Sequence, residues 1–226
     1  MNDFPGVISL FIACIEIVFF INLLIFSEKN IENKLIILLV ALLFSYQFME
    51  FFMCYTENYS YILVYVSFFI ISFLPPLMLY FVLTVKKIKN LKFAPIIFLP
   101  IIILLIYYLS VLTGFEITEC TVLFAAYEMP LGDLYGVIYY SPVIISVFIL
   151  LKVILSESNK DKKLNLIIAL SGILFAFFPV ALIIAMFPEL IDYVESFFCK
   201  AASIIAFTFT IYGIRNNSKK EVVSNE

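Results

Sequence analysis

The chain of 226 residues is 64% hydrophobic, 18% aromatic and only 14% charged, with a mean hydropathy of +1.12. This composition excludes an ordinary soluble domain and describes a polytopic membrane protein whose first partner is the lipid bilayer. The net charge of −3 says little, because the distribution of charge matters more than its sum; no nucleic-acid partner is expected, and the complete absence of histidine removes His-ligated metal centres, haem ligation and triads with a His base, so neither a metal site nor an enzyme is expected.

Seven segments are long and apolar enough to cross a bilayer: residues 6–26, 34–54, 61–85, 93–113, 136–155, 165–187 and 190–214. The fold class read from them is an all-α membrane protein, a seven-helix bundle over 1–215. The first run follows an acidic start without a basic n-region or a small-residue cleavage site, and is expected to be a retained helix rather than a signal peptide. Prolines punctuate the later segments, Pro75 and Pro76 in the third, Pro95 and Pro100 in the fourth, Pro142 in the fifth and Pro179 in the sixth. Each frees a backbone carbonyl and bends its helix.

The connections are short except residues 114–135, GFEITECTVLFAAYEMPLGDLY, expected to form an outer loop or lid with Thr121 to Phe124 as a strand. Tyr127, Asp133 and Tyr135 are the candidates to line its inner surface; resting at headgroup level is the alternative. Residues 216–226 are expected to be a flexible cytoplasmic tail too short to fold, so any signal would leave through a partner protein at the cytoplasmic face.

Charge gives the orientation. Lys29 and Lys34, Lys86 to Lys92, Lys152 to Lys163 and Arg215 to Lys220 fall on one side of the spans, whereas the N-terminus and the second, fourth and sixth connections contain acids and no Lys or Arg. The positive-inside rule then predicts an N-out, C-in cell-membrane protein. Lys200 is the one basic residue that disobeys. It sits near the middle of the last span, on a stripe with Ser196, Ser203, Phe207 and Thr210, and an ionisable group there needs a partner or a purpose.

Three acids share the membrane with it: Glu16, Glu50 and Glu195. Counting depth along each span puts Glu16 level with Lys200 and makes it the expected ion-pair partner, with Glu50 and Glu195 nearby, and Tyr46 and Gln47 extending the patch one turn back. This cluster reads equally as a buried polar staple and as a ligand- or proton-sensing pocket. Cys54 at the outer end of the second span and Cys120 in the large loop are placed for a disulfide; Cys14 and Cys199 are expected to pack as mid-membrane thiols.

FSYQFMEFF on the second span, ISFLPPLMLYFVLTV on the third, LGDLYGVIYY closing the outer loop and AFTFTIYGIR at the end of the last span together resemble the seven-helix N-terminal sensor region of bacterial and archaeal histidine kinases. The resemblance implies a sensor or receptor whose small, often apolar ligand enters from outside or laterally and shifts helix packing at the inner face. No output domain follows in the sequence. A lysine midway along the seventh span, with FLPPLMLYF and FAFFPVAL, is also similar to microbial rhodopsins and implies a retinal Schiff base on Lys200. Against that likeness stand the lack of a carboxylate on the third span, Ser196 four residues before the lysine, and the absence of tryptophan. A small transporter or channel is a third expectation, without a visible internal repeat.

Overall fold

The computed structural model describes residues 5–86, 91–122, 125–187 and 194–216. Among them, six helices are long and apolar enough to cross a membrane: Val7–Phe26, Ile31–Thr56, Tyr61–Val85, Gly132–Ser156, Lys160–Ile183 and Ser196–Arg215. The chain is thus a mostly helical, multi-pass membrane protein, because a helix satisfies its own backbone polar groups in lipid.

Helix α1 (Val7–Phe26) follows Gly6, which adopts a left-handed φ of 73°. Its buried residues Ser9, Ala13, Glu16 and Leu23 form one stripe, and the other faces expose large apolar side chains such as Phe11, Val18 and Ile25. Helix α2 (Ile31–Thr56) starts where the Asn30 side chain accepts a hydrogen bond from the Asn33 N–H. The third apolar segment is two helices, α3 (Tyr61–Ser72) and α4 (Leu74–Val85), divided at Phe73. Pro75 and Pro76 have no N–H to continue the α3 ladder, and they fall in the first turn of α4, where the missing donors cost nothing.

The fourth segment departs furthest from expectation. Instead of an α-helix over 93–113, a 3-10 stretch Leu91–Phe98 leads into α5 (Leu99–Ser110), and the apolar helical part, Pro95–Ser110, is shorter than the six spans above. Pro95 has no N–H to continue an α ladder through this stretch, and Pro100 falls in the first turn of α5, where the missing donor costs nothing. The outer loop also differs. Its strands are β1 (Glu116–Cys120) and β2 (Ala125–Glu128), paired antiparallel with Glu116 opposite Glu128, so Thr121 and Val122 belong to the turn rather than to a strand, while Leu123 and Phe124 lie outside the described residues. Phe115, Ala125, Ala126 and Tyr127 are buried, whereas Glu116, Glu119 and Glu128 are exposed.

Helix α6 (Gly132–Ser156) begins four residues before the expected 136, which puts Asp133 and Tyr135 on a helix instead of a lid. Pro142 cannot bond the Ile138 carbonyl, and the Ser141 hydroxyl donates to that oxygen at 3.4 Å. Helix α7 (Lys160–Met186) is capped by Asn159, whose side chain accepts from the N–H groups of Asp161 and Lys162. Helix α8 (Val194–Arg215) lies against α1, α2 and α7. Two glycines let it come close: a Cβ on Gly172 of α7 would lie 1.9 Å from Thr208 Oγ1, and one on Gly213 would lie 2.8 Å from Leu23 Cδ2.

The hairpin is fastened over one end of the bundle. The Gly6 N–H donates to the Thr121 carbonyl at 2.9 Å, and a disulfide joins Cys120 to Cys54 at the end of α2. At the opposite end the Tyr212 hydroxyl and the Asn216 amide both donate to Glu32, and Arg215 Nε donates to Asn165 at 2.8 Å.

Candidate functional site

At the hairpin end of the bundle, three helices bring polar side chains to a single buried point. Glu50, fully buried on α2, accepts hydrogen bonds from Ser9 of α1 at 2.8 Å and from Ser196 of α8 at 3.2 Å, and forms an ion pair with Lys200 of α8, whose Nζ is 2.5 Å from Oε1. The ammonium also donates to Ser196 Oγ at 3.0 Å. Ser196 Oγ in turn accepts the Ala125 N–H of β2 at 3.3 Å, so the hairpin closes the cluster from above. One turn back on α2, the Gln47 amide donates to the Cys199 carbonyl at 2.7 Å, a second tie between α2 and α8. Tyr46 is buried on the same helix within electrostatic reach of Glu50 and Tyr127.

The lysine therefore pairs with Glu50 and not with Glu16, as depth counting had suggested. A helical side chain leans toward the N-terminus of its own helix, here the hairpin end, and the four-carbon stem carries the charge upward to the level of Glu50. Glu16 is fully buried deeper on α1, within electrostatic reach of Lys200, and among the described residues neither of its carboxylate oxygens meets a hydrogen-bond donor. The side chain of Glu195 lies outside the described residues. Ser9 and the Ala125 N–H were not among the sequence candidates; Ser9 lies two residues into α1 and Glu50 six residues before the end of α2, so depth along the helices does not pair them, and a backbone donor from a strand leaves no trace in the sequence.

The three lid candidates separate. Tyr135 is buried in an aromatic cluster with Phe68 and Tyr139, its hydroxyl meeting Ser72 at 3.2 Å, away from Lys200. Tyr127 is buried on β2 against Phe68, with ring centroids 5.4 Å apart. Asp133 is exposed at the start of α6. Of the two mid-membrane thiols, Cys199 is buried and Cys14 faces outward.

Beside the cluster lies a groove of about 1360 Å³ between α6 and α7. Tyr127, Glu128 and Asp133 form its mouth, Tyr140, Val147 and Phe177 its walls, and Phe198 of α8 its back. Aromatic side chains hold α6 away from α7 here, with Tyr140, Phe177 and Phe198 in mutual ring contact. An apolar body with a few polar groups at one end is the usual character of a small-molecule site. Among the described residues no His, Cys, Asp and Glu group could hold a metal ion. Comparisons with family models, with curated proteins and with solved structures find no match to this chain.

Proposed function

We propose that this protein is a receptor-like sensor of the cell membrane, which takes a small apolar ligand into the groove between α6 and α7 and passes its presence along α8 to a signalling partner at the inner face. The observation that carries this reading is that groove and polar cluster share two elements. Tyr127 of β2 and Phe198 of α8 line the groove, while Ala125 of β2 and Ser196 of α8 belong to the cluster. A ligand wedged between α6 and α7 presses on both elements that hold the cluster shut. Helix α8 is tied at its far end by Tyr212 and Arg215, where a displacement would be read.

Seven crossings with the hairpin outside fit this arrangement. The 3-10 stretch and α5 together rise about 34 Å, against a hydrocarbon core of about 30 Å. Helix α4 ends and α5 starts at the end opposite the hairpin, so the chain returns through α5. Glu57, Glu116, Glu119, Glu128 and Asp133 lie at the hairpin end, and Lys29, Lys34, Lys152, Lys160 and Arg215 at the other, which supports an N-out, C-in orientation.

The test uses amide hydrogen exchange of residues 205–216 in nanodiscs, with and without dodecanol as an apolar probe. Exchange should change in the parent and stay constant in Gly136→Trp, which fills the groove from a position where a Cβ meets nothing closer than 3.9 Å. Constant exchange in the parent would sink the proposal.

The second reading, retinal on Lys200, is favoured by the carboxylate beside the amine. It meets a space problem, since the interior cavity beside Cys199 and Ala202 is about 20 Å³, room for about one water. A visible band in protein expressed with all-trans retinal, lost in Lys200→Ala, would establish it instead.

A further inference from the structure

The mouth of the groove differs chemically from its body. Glu128 closes β2 and Asp133 opens α6, both exposed, both lining the groove. Among the described residues neither mouth carboxylate is seen in an ion pair with a basic side chain. The connections at this end of the bundle contain no Lys or Arg, so an anionic group arriving at the mouth would meet the like charges of Glu128 and Asp133. Below the mouth the wall is apolar: Val137, Ile144, Val147 and Phe148 on α6 face Ile173 and Leu174 on α7. From Asp133 to Phe148 that wall runs about 22 Å at the helical rise of about 1.5 Å per residue, a shape for an extended chain rather than a compact ring. Tyr127 and Tyr140 line the groove near Glu128 and Asp133 in sequence and add aromatic surface to its upper part.

Building on the reading of the groove as the ligand site, we infer that its occupant is a single-chain amphiphile with a cationic head: the alkyl chain lies between α6 and α7 and the head sits at Glu128 and Asp133. An ordinary zwitterionic phospholipid fits less well, because its phosphate would approach the same two carboxylates, and its second chain has no matching wall. The two acids select charge and the aromatic and aliphatic walls supply affinity, a division usual for sites with an apolar body and a few polar orienting groups.

The experiment is equilibrium dialysis of radiolabelled dodecyltrimethylammonium against the full chain in phosphatidylcholine nanodiscs, with empty nanodiscs as the blank and dodecanol and dodecyl sulfate as competitors. Saturable binding is expected, with dodecyl sulfate failing to compete and dodecanol competing only weakly. Glu128→Gln and Asp133→Asn should each weaken binding roughly threefold and together about tenfold, in keeping with partly exposed charge pairs. Raising ionic strength should weaken the parent more than the double variant. If the double variant binds like the parent and dodecanol competes fully, the cationic class is overturned while the apolar groove stands. If Gly136→Trp, with an unchanged melting temperature, binds as the parent does, or if no saturable binding occurs, the bilayer lipid already owns the groove and both readings fall.

Discussion

Helix α7 has two neighbours of opposite kind. Toward α8 it presents Ala169, Gly172 and Ala176, all buried, and Gly172 admits Thr208 so closely that no side chain fits between the backbones. Toward α6 it presents Ile173, Leu174 and Phe177, and Tyr140 and Phe148 answer from the other side, leaving the groove. Lipid offers helices little hydrophobic reason to associate, so close approach of small residues and interhelical hydrogen bonds decide which seams shut. The α7–α8 seam has small residues and α8 is further tied to α2 by Gln47 and Glu50; the α6–α7 seam has neither device at the groove and stays parted. A closed seam transmits displacement and an open one admits something to displace it.

The largest expected effect comes from breaking the closed side. Lys200→Met leaves Glu50 buried without its cation and should cost about 3–5 kcal/mol, measured by thermal or denaturant unfolding in detergent micelles, with Glu50→Gln added in the same chain restoring most of the loss. Next is Gly172→Ala, whose new methyl overlaps Thr208 Oγ1; a cost of about 1–3 kcal/mol is expected for such overpacking, and Thr208→Ala should relieve part of it. An unchanged unfolding midpoint in Gly172→Ala would show that the close seam is not what holds α7 to α8. Smallest is Gly136→Trp on the open side, where stability should stay within about 0.5 kcal/mol of the parent because the groove has room for the ring. A large loss there would mean that the seam is packed, and the contrast between the two sides would vanish.

Much of this was legible in the sequence, and unevenly so. Six of the spans follow from apolar length alone, whereas at the fourth segment Pro95 and Pro100 read only as bends in one long helix, and the 3-10 start and the short α5 were not legible. Glu50, Ser196 and Lys200 could be recognised as polar groups needing partners. Choosing Glu16 as the partner failed because depth was counted at the backbone, and a lysine delivers its charge well away from its own Cα. The hairpin register depended on Phe115 and Tyr127 finding Phe68 and Tyr108 across the bundle, contacts that local alternation does not encode. The groove was least visible of all: Tyr140, Phe177 and Phe198 are ordinary membrane residues in a one-dimensional reading, and only their mutual ring packing pries two helices apart.

The disulfide between Cys54 and Cys120, 66 residues apart in sequence, turns α3, α4, α5 and β1 into a covalent ring. A ring of this kind cannot close until its last member has emerged, so the bond can form only after the chain through α3, α4, α5 and β1 has been made. Its presence in mature protein is therefore a chemical record that β1 was brought back to the end of α2. A single protease cut anywhere within the ring should leave the chain running as one species on a non-reducing gel and as two pieces once a thiol reductant is added.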